Sequence, residues 1–245
     1  MNGAAPDWTV HFTPYSATHL IVLVVFACWT VGVCFTASRL RPGEKSRMDR
    51  VIATVGLAIS GLYGLWWLLP GHFDIERSLP LHVCDVMSFV SPLSLLVRSR
   101  ALRAIAVFLG LAFCTQAFIK PLSGAGPMHP QMWGQFWGFW LTHGLVVFIA
   151  IYWVWAHGFR PTMRDLRVAS AAAWVYVIGV FLLDAAFHLN YGYVGRGTAT
   201  GETMADQLGP WPLRVVWITL IAQGGLIGVM LLRLIPGGER RSEVS

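Results

Sequence analysis

Charge is scarce in this chain. Of 245 residues, 18 are Lys or Arg and 12 are Asp or Glu, so charged side chains make up 12% against 56% hydrophobic ones. A soluble domain carries about 25% charged residues, so that class is excluded. The net charge of +6 is scattered in short runs between apolar segments. No broad basic patch forms, which argues against nucleic acid as a partner and makes the charges a record of topology. The four cysteines, Cys28, Cys34, Cys84 and Cys114, lie in apolar stretches without a CxxC pair, so no disulfide framework is expected. Phosphate loop, dinucleotide fingerprint, HExxH and CxxCH are all missing; neither nucleotide nor cofactor is expected. The first residues lack a basic n-region, so the first apolar stretch reads as a retained span.

Apolar runs are what the chain has in abundance. Seven stretches, roughly 15–38, 51–70, 81–97, 102–119, 135–156, 168–189 and 213–235, approach the about 20 residues needed to cross about 30 Å of hydrocarbon. They predict an all-α, seven-transmembrane-helix bundle as a single integral domain over 1–245. The first connection, "RLRPGEKSRMDR", is densely basic; the third holds Arg98, Arg100 and Arg103, and the fifth Arg160, Arg164 and Arg167. The second is mixed, the fourth has only Lys120, and the sixth sets Arg196 against Glu202 and Asp206. This alternation places the N-terminus outside and the C-terminus, with Arg240 and Arg241, in the cytoplasm. Two external segments, "KPLSGAGPMHPQMW" and "NYGYVGRGTATGETMADQLGPWP", have room for re-entrant turns or a cap as well as for ordinary loops. The glycines of "GLAISGLYG" and "GGLIG" fall inside spans and read as helix-packing residues.

Against this background a few polar groups stand out. "LPLHVCDVM" places His82, Cys84 and Asp85 near the outer end of the third helix, with Pro80 expected in its first turn. "WGFWLTHGLVV" carries His143 about three turns into the fifth helix. "LLDAAFHLNYGY" sets Asp184 and His188 at i and i+4, a spacing that lets the carboxylate orient the imidazole. Gln116 lies near the outer end of the fourth helix, Asn190 follows the sixth, and His19 is one turn into the first. The cytoplasmic half has almost no polar groups away from its loops. Together these predict a shared cavity facing outward.

Three readings of that cavity follow. In the first, Cys84 attacks an acyl ester, His143 or His188 accepts its proton, and Gln116, Asn190 or a backbone amide steadies the oxyanion. In the second, Asp85, Asp184, His143 and His188 bind a cation, proton or small solute in a transporter. In the third, the groups bind a ligand or brace a scaffold without catalysis. His and carboxylate also suit zinc or iron, but no ligand spacing is recognisable and no metal is assigned. His11, His72, His129 and His157 fall in loops or near the surface, where a solvent or interface role is expected.

Five motifs, "TPYSATHL", "LPLHVCDVMSF", "WGFWLTHG", "HLNYGY" and "LGPWPLRVVW", span most of the chain. They resemble the YwaF-like family of bacterial integral membrane proteins. The resemblance implies a multi-pass protein of the bacterial inner membrane. That family is in turn distantly similar to animal seven-helix acyltransferases that remodel ether phospholipids through cysteine and histidine. Carried over, the likeness implies Cys84 as nucleophile, His143 as base, an acyl-cysteine intermediate, and membrane phospholipids as partners with a lysophospholipid acceptor.

Overall fold

The computed structural model describes residues 12, 14–119, 121, 133–196 and 204–234. His11, His129 and parts of both long external segments, 122–132 and 197–203, lie outside the described residues. Helix α1 is Ala17–Arg39, α2 Pro42–Trp67, α3 Val83–Val97, α4 Arg100–Phe113, α5 Gln116–Ile119, α6 Trp133–Trp155, α7 Met163–Phe187 and α8 Leu213–Val229. Short 3₁₀ turns occupy Tyr191–Tyr193, Met204–Leu208 and Met230–Leu234. Among the described residues there is no strand. Six helical stretches are long and apolar enough to cross a membrane, α4 and α5 counting as one. The other, α3, has 15 residues and is about 22 Å long at the usual rise.

Three boundaries correct the expectations from sequence. The basic stretch "RLRPGEKSRMDR" is mostly helix, because Pro42 suits the first helical position and the Arg41 amide donates to Glu44 Oε2 at 3.0 Å. Lys45, Arg47 and Arg50 therefore lie on the first turns of α2, not in a loop. At α7, Thr162 caps the Asp165 amide at 3.3 Å while its own amide donates to Asp165 Oδ2 at 2.9 Å. That cap starts the helix at Met163, ahead of the expected 168. The fourth span, expected to be continuous, breaks after Phe113; Thr115 turns its hydroxyl onto Leu111 O at 2.7 Å, and a tight turn leads into α5.

Helix α6 is the axis of the bundle. It packs against α1, α2, α3 and α4, and 67% of its membrane window is buried against 17% in α1, α7 and α8. The shorter α3 lies beside it, between α2 and α4, where it does not need to present a full lipid-facing length. Phe148, Ile149, Tyr152 and Trp153 of α6 join Met87, Leu95, Val107 and Phe108 in the buried core.

Because the helices alternate in direction, the first, third and fifth connections meet at one end, hereafter the basic end. Arg100 forms a two-pronged pair with Asp165, Nε to Oδ1 at 2.9 Å and Nη2 to Oδ2 at 2.7 Å. Asp49 is buried and accepts from Tyr152 Oη at 2.8 Å and from His157 Nε2 at 3.0 Å. Lys45 Nζ donates to Ala156 O at 2.8 Å, and Trp153 Nε1 to Ser94 Oγ at 2.8 Å. The expectation that this half holds almost no polar groups away from loops is therefore overturned. Asp49 escaped notice because its segment reads as loop until Pro42 is seen to begin a helix.

Close approach of α2 and α6 depends on Gly138, where an added Cβ would fall 2.1 Å from carbons of the Tyr63 ring. Gly138→Ala is expected to cost about 1 to 3 kcal/mol through overpacking. Gly64→Ala, with nothing within 4 Å, is expected to leave stability unchanged or raise it. Thermal unfolding of both variants in detergent checks this; equal melting of the two would contradict the packing.

Candidate functional site

The end opposite the basic one is built around the start of α3. His82 is its N-cap in extended conformation, with φ −65 and ψ 147, and its carbonyl accepts from the Asp85 and Val86 amides at 2.9 and 3.1 Å. Pro80 thus precedes the helix and does not occupy its first turn. Cys84 and Asp85 sit in that turn, half-buried. Ser88 Oγ donates to Asp85 O at 2.7 Å, and Ser60 Oγ of α2 donates to Ser88 O at 2.8 Å, fixing the turn against its neighbour.

The Cys84 thiol adjoins the His143 imidazole from α6 and the Cys114 thiol from the end of α4. His143 Nδ1 lies 2.8 Å from Phe139 O. A carbonyl only accepts, so Nδ1 carries a proton, and a neutral ring leaves Nε2 as a lone-pair acceptor. The Phe139 ring stacks on the imidazole at 4.1 Å and limits its rotation. Asp85 lies within electrostatic range of both Cys84 and His143. Tyr63 of α2, Tyr176 of α7 and Tyr193 of the turn beyond α7 lie within electrostatic range of Asp85, the latter two of Cys84 as well.

His82 closes the cluster from above. Its Nδ1 accepts from the Gly192 amide at 3.2 Å, and its ring leans on Tyr191 and Tyr193 at centroid distances of 5.1 and 5.6 Å. Gly192 has φ +60, and a Cβ there would meet Tyr176 Oη at 2.9 Å, so conformation and space both demand glycine. Tyr176 Oη donates to Leu81 O at 2.8 Å. Tyr191 Oη accepts from the Leu79 amide at 3.1 Å and donates to Ile75 O at 2.6 Å. Burial pushes the Tyr191 phenol above its ordinary range, so it keeps the proton that this second bond requires.

The remaining sequence candidates go elsewhere. Asp184 is buried, but its Oδ1 accepts from the Tyr191 amide at 3.1 Å. His188 is exposed and caps α7 in the left-handed region, φ 59 and ψ 34. The expected side-chain pairing of Asp184 with His188 is not made: i and i+4 share a face only while the helix continues, and this one ends at Phe187. Gln116 is exposed on α5. Asn190 is buried at the head of the Tyr191–Tyr193 turn, its Oδ1 without a partner among the described residues. His19 is buried with both nitrogens in use: Nδ1 accepts from the Tyr15 amide at 2.9 Å, and Nε2 donates to Phe118 O at 3.0 Å.

The structure thus gathers His82, Cys84, Asp85 and His143 and leaves His188, Gln116 and His19 outside. Cys114, Tyr63, Tyr176 and Tyr193 were not expected there. The polar run Cys114, Thr115, Gln116 inside an apolar span was the available signal for Cys114. Among the described residues, no group of three or more His, Cys, Asp or Glu is placed to hold a metal ion.

Apolar helices packed about a polar cluster define a multi-pass helical membrane protein. The chain belongs to the TMEM164 family, whose model matches residues 14–231. Comparison with curated proteins and with solved structures gave no match. The family match does not extend to the finer YwaF-like and acyltransferase likenesses.

If His143 Nε2 accepts from the Cys84 thiol, Cys84 is expected to alkylate faster with iodoacetamide than the buried Cys34 and Cys114. His143→Phe is expected to slow it by about tenfold or more. Peptide mass spectrometry over a time course measures both; an unchanged Cys84 rate in the variant would contradict the pairing.

Proposed function

We propose that the protein transfers or hydrolyses a phospholipid acyl ester through Cys84, in a site beneath the outer leaflet of a bacterial inner membrane. The observation carrying this reading is the His143 imidazole, fixed through Nδ1 on Phe139 O at 2.8 Å and lying beside the Cys84 thiol. His143 Nε2 takes the thiol proton, and the sulfur attacks the ester carbonyl carbon. The C–O bond then breaks, the leaving lysophospholipid oxygen takes the proton from His143, and an acyl thioester remains on Cys84. A hydroxyl of a second lysophospholipid, or water, attacks that thioester while His143 takes its proton. The ester or acid is released, and the thiolate recovers the proton.

Gln116 and Asn190 are replaced as oxyanion donors in this scheme. The Val83 and Cys84 amides at the start of α3 lie at the positive end of the helix, among the donors that a helix leaves without an internal partner. Tyr63, Tyr176 and Tyr193 supply apolar faces beside the polar end, suited to an ester whose chain lies among helices. The basic end meets the positive-inside rule if it faces the cytoplasm, which puts Cys84 on the outer side with the N-terminus outside and the C-terminus inside. The YwaF-like motifs and their distant acyltransferase likeness point the same way. On α6, Leu145 to Ile149 are all buried and apolar, and they separate His143 from the Tyr152 cluster at the basic end. That barrier favours a site open to one side over the transport reading.

Wild-type protein and Cys84→Ala, each in bilayers with acyl-labelled phospholipid, test the proposal. Wild type is expected to release or transfer the label and to carry a thioester on the Cys84 peptide, and the variant to do neither. Equal turnover by both would reject the nucleophile, and solute uptake into liposomes without lipid turnover would favour a transporter.

A further inference from the structure

The opposite end of the bundle holds a second constellation that the acyl-transfer reading does not use. A cleft of about 290 Å³ opens there, lined by Lys45, Ser46, Asp49, Arg98, Arg103 and His157 around the buried Trp153. Four elements contribute: the first turns of α2 give Lys45, Ser46 and Asp49, the cap of α3 gives Arg98, α4 gives Arg103, and the residues after α6 give His157.

The charges in this cleft are unevenly matched. Asp49 Oδ1 already accepts from Tyr152 Oη and His157 Nε2. Asp165, the other buried carboxylate at this end, is held by Arg100 and Thr162. Three cations remain against that one occupied carboxylate, and each is positioned. Lys45 Nζ is steered by one bond to Ala156 O, leaving two of its three protons. Arg98 is fixed by a left-handed backbone, φ 56 and ψ 18, and by its bond to Ser46 Oγ. Arg103 lies over the Trp153 ring, its guanidinium carbon 4.1 Å from the centroid, and its Nε is buried without a partner among the described residues. Cations already steered by a hydrogen bond or a ring face cost less further ordering when an anion arrives. The start of α2 adds partial positive charge from the same side.

We propose that this cleft binds a phosphate group. Two guanidinium forks and an ammonium arriving from three helices suit a tetrahedral oxyanion with donors on several sides better than a planar carboxylate. The cleft lies at the helix ends, where a phospholipid headgroup of that leaflet would sit, and Leu40 and Pro42 form an apolar rim against which its glycerol is accommodated. A headgroup and free phosphate share the recognising chemistry, so the test separates them.

Full-length protein is reconstituted in phosphatidylcholine vesicles with a minority of phosphatidylglycerol, and retained lipid is counted by native mass spectrometry. In parallel, radiolabelled inorganic phosphate is measured by equilibrium dialysis in a neutral detergent. Arg103→Gln and Lys45→Gln are each expected to lower retention of the anionic lipid by about fivefold. A matching loss confined to inorganic phosphate would identify the free ion as ligand and also support the site. Arg98→Gln, at an exposed helix end, serves if either half-buried change lowers the helical melting temperature. Binding of neither probe above the level of the variants, or variants of wild-type stability binding both as well as wild type, would overturn the proposal. Turnover of acyl-labelled lipid by wild type is unaffected by either outcome, so the two readings fail separately.

Discussion

A hydrogen-bonding group that lipid cannot solvate has to find its partner inside the bundle. In this protein that constraint is met by side chains reaching from one helix to the backbone or carboxylate of another. At one end His19 spans from Tyr15 to the Phe118 carbonyl, and Tyr176 and Tyr191 clamp the segment leading into α3. At the other, Asp49 and Asp165 gather donors from α6, α4 and the residues after α6. Other polar side chains are committed to a carbonyl of their own helix, as Thr36, Thr142 and Thr219 are. The few that keep an uncommitted lone pair or proton are the ones with chemistry to offer, and His143 is the clearest of them.

This division explains why two histidines inside the bundle differ in role. His19 uses one nitrogen as acceptor and the other as donor, so its ring is a cross-link. His143 uses only Nδ1, to its own helix, and turns the rest of the ring toward a thiol. Cys84 is placed to meet it because His82, held by the Gly192 amide, sets where α3 begins. The glycine at 192 thus acts at a distance on the cysteine, through a turn that admits no side chain.

Helix number and the polar positions of α3 and α6 were legible in the sequence, because ionisable groups are rare enough in apolar runs to announce themselves. Helix starts were less so. Hydropathy reads Pro42 to Arg50 as loop, whereas capping by Glu44 and the proline make it helix. The end of α7 misled in the other direction: an i, i+4 pairing assumed a helix running on through His188, which instead turns left-handed just after Phe187. Cys114 carried only the faint signal of the run Cys114, Thr115, Gln116, since a cysteine in an apolar span reads as a small hydrophobe, and the contact between α3 and α4 reveals its neighbour. Spacing within one helix locates faces; which faces meet is decided by packing among helices far apart in sequence.

His143, held through Nδ1, turns its other ring nitrogen to the Cys84 thiol. Solid-state NMR of nitrogen-15-labelled histidine in bilayers reads the protonation of each ring nitrogen directly. Nδ1 is expected to carry a proton toward Phe139 O, and the Nε2 resonance is expected to shift in Cys84→Ala. A ring protonated only at Nε2, indifferent to that substitution, would contradict this arrangement.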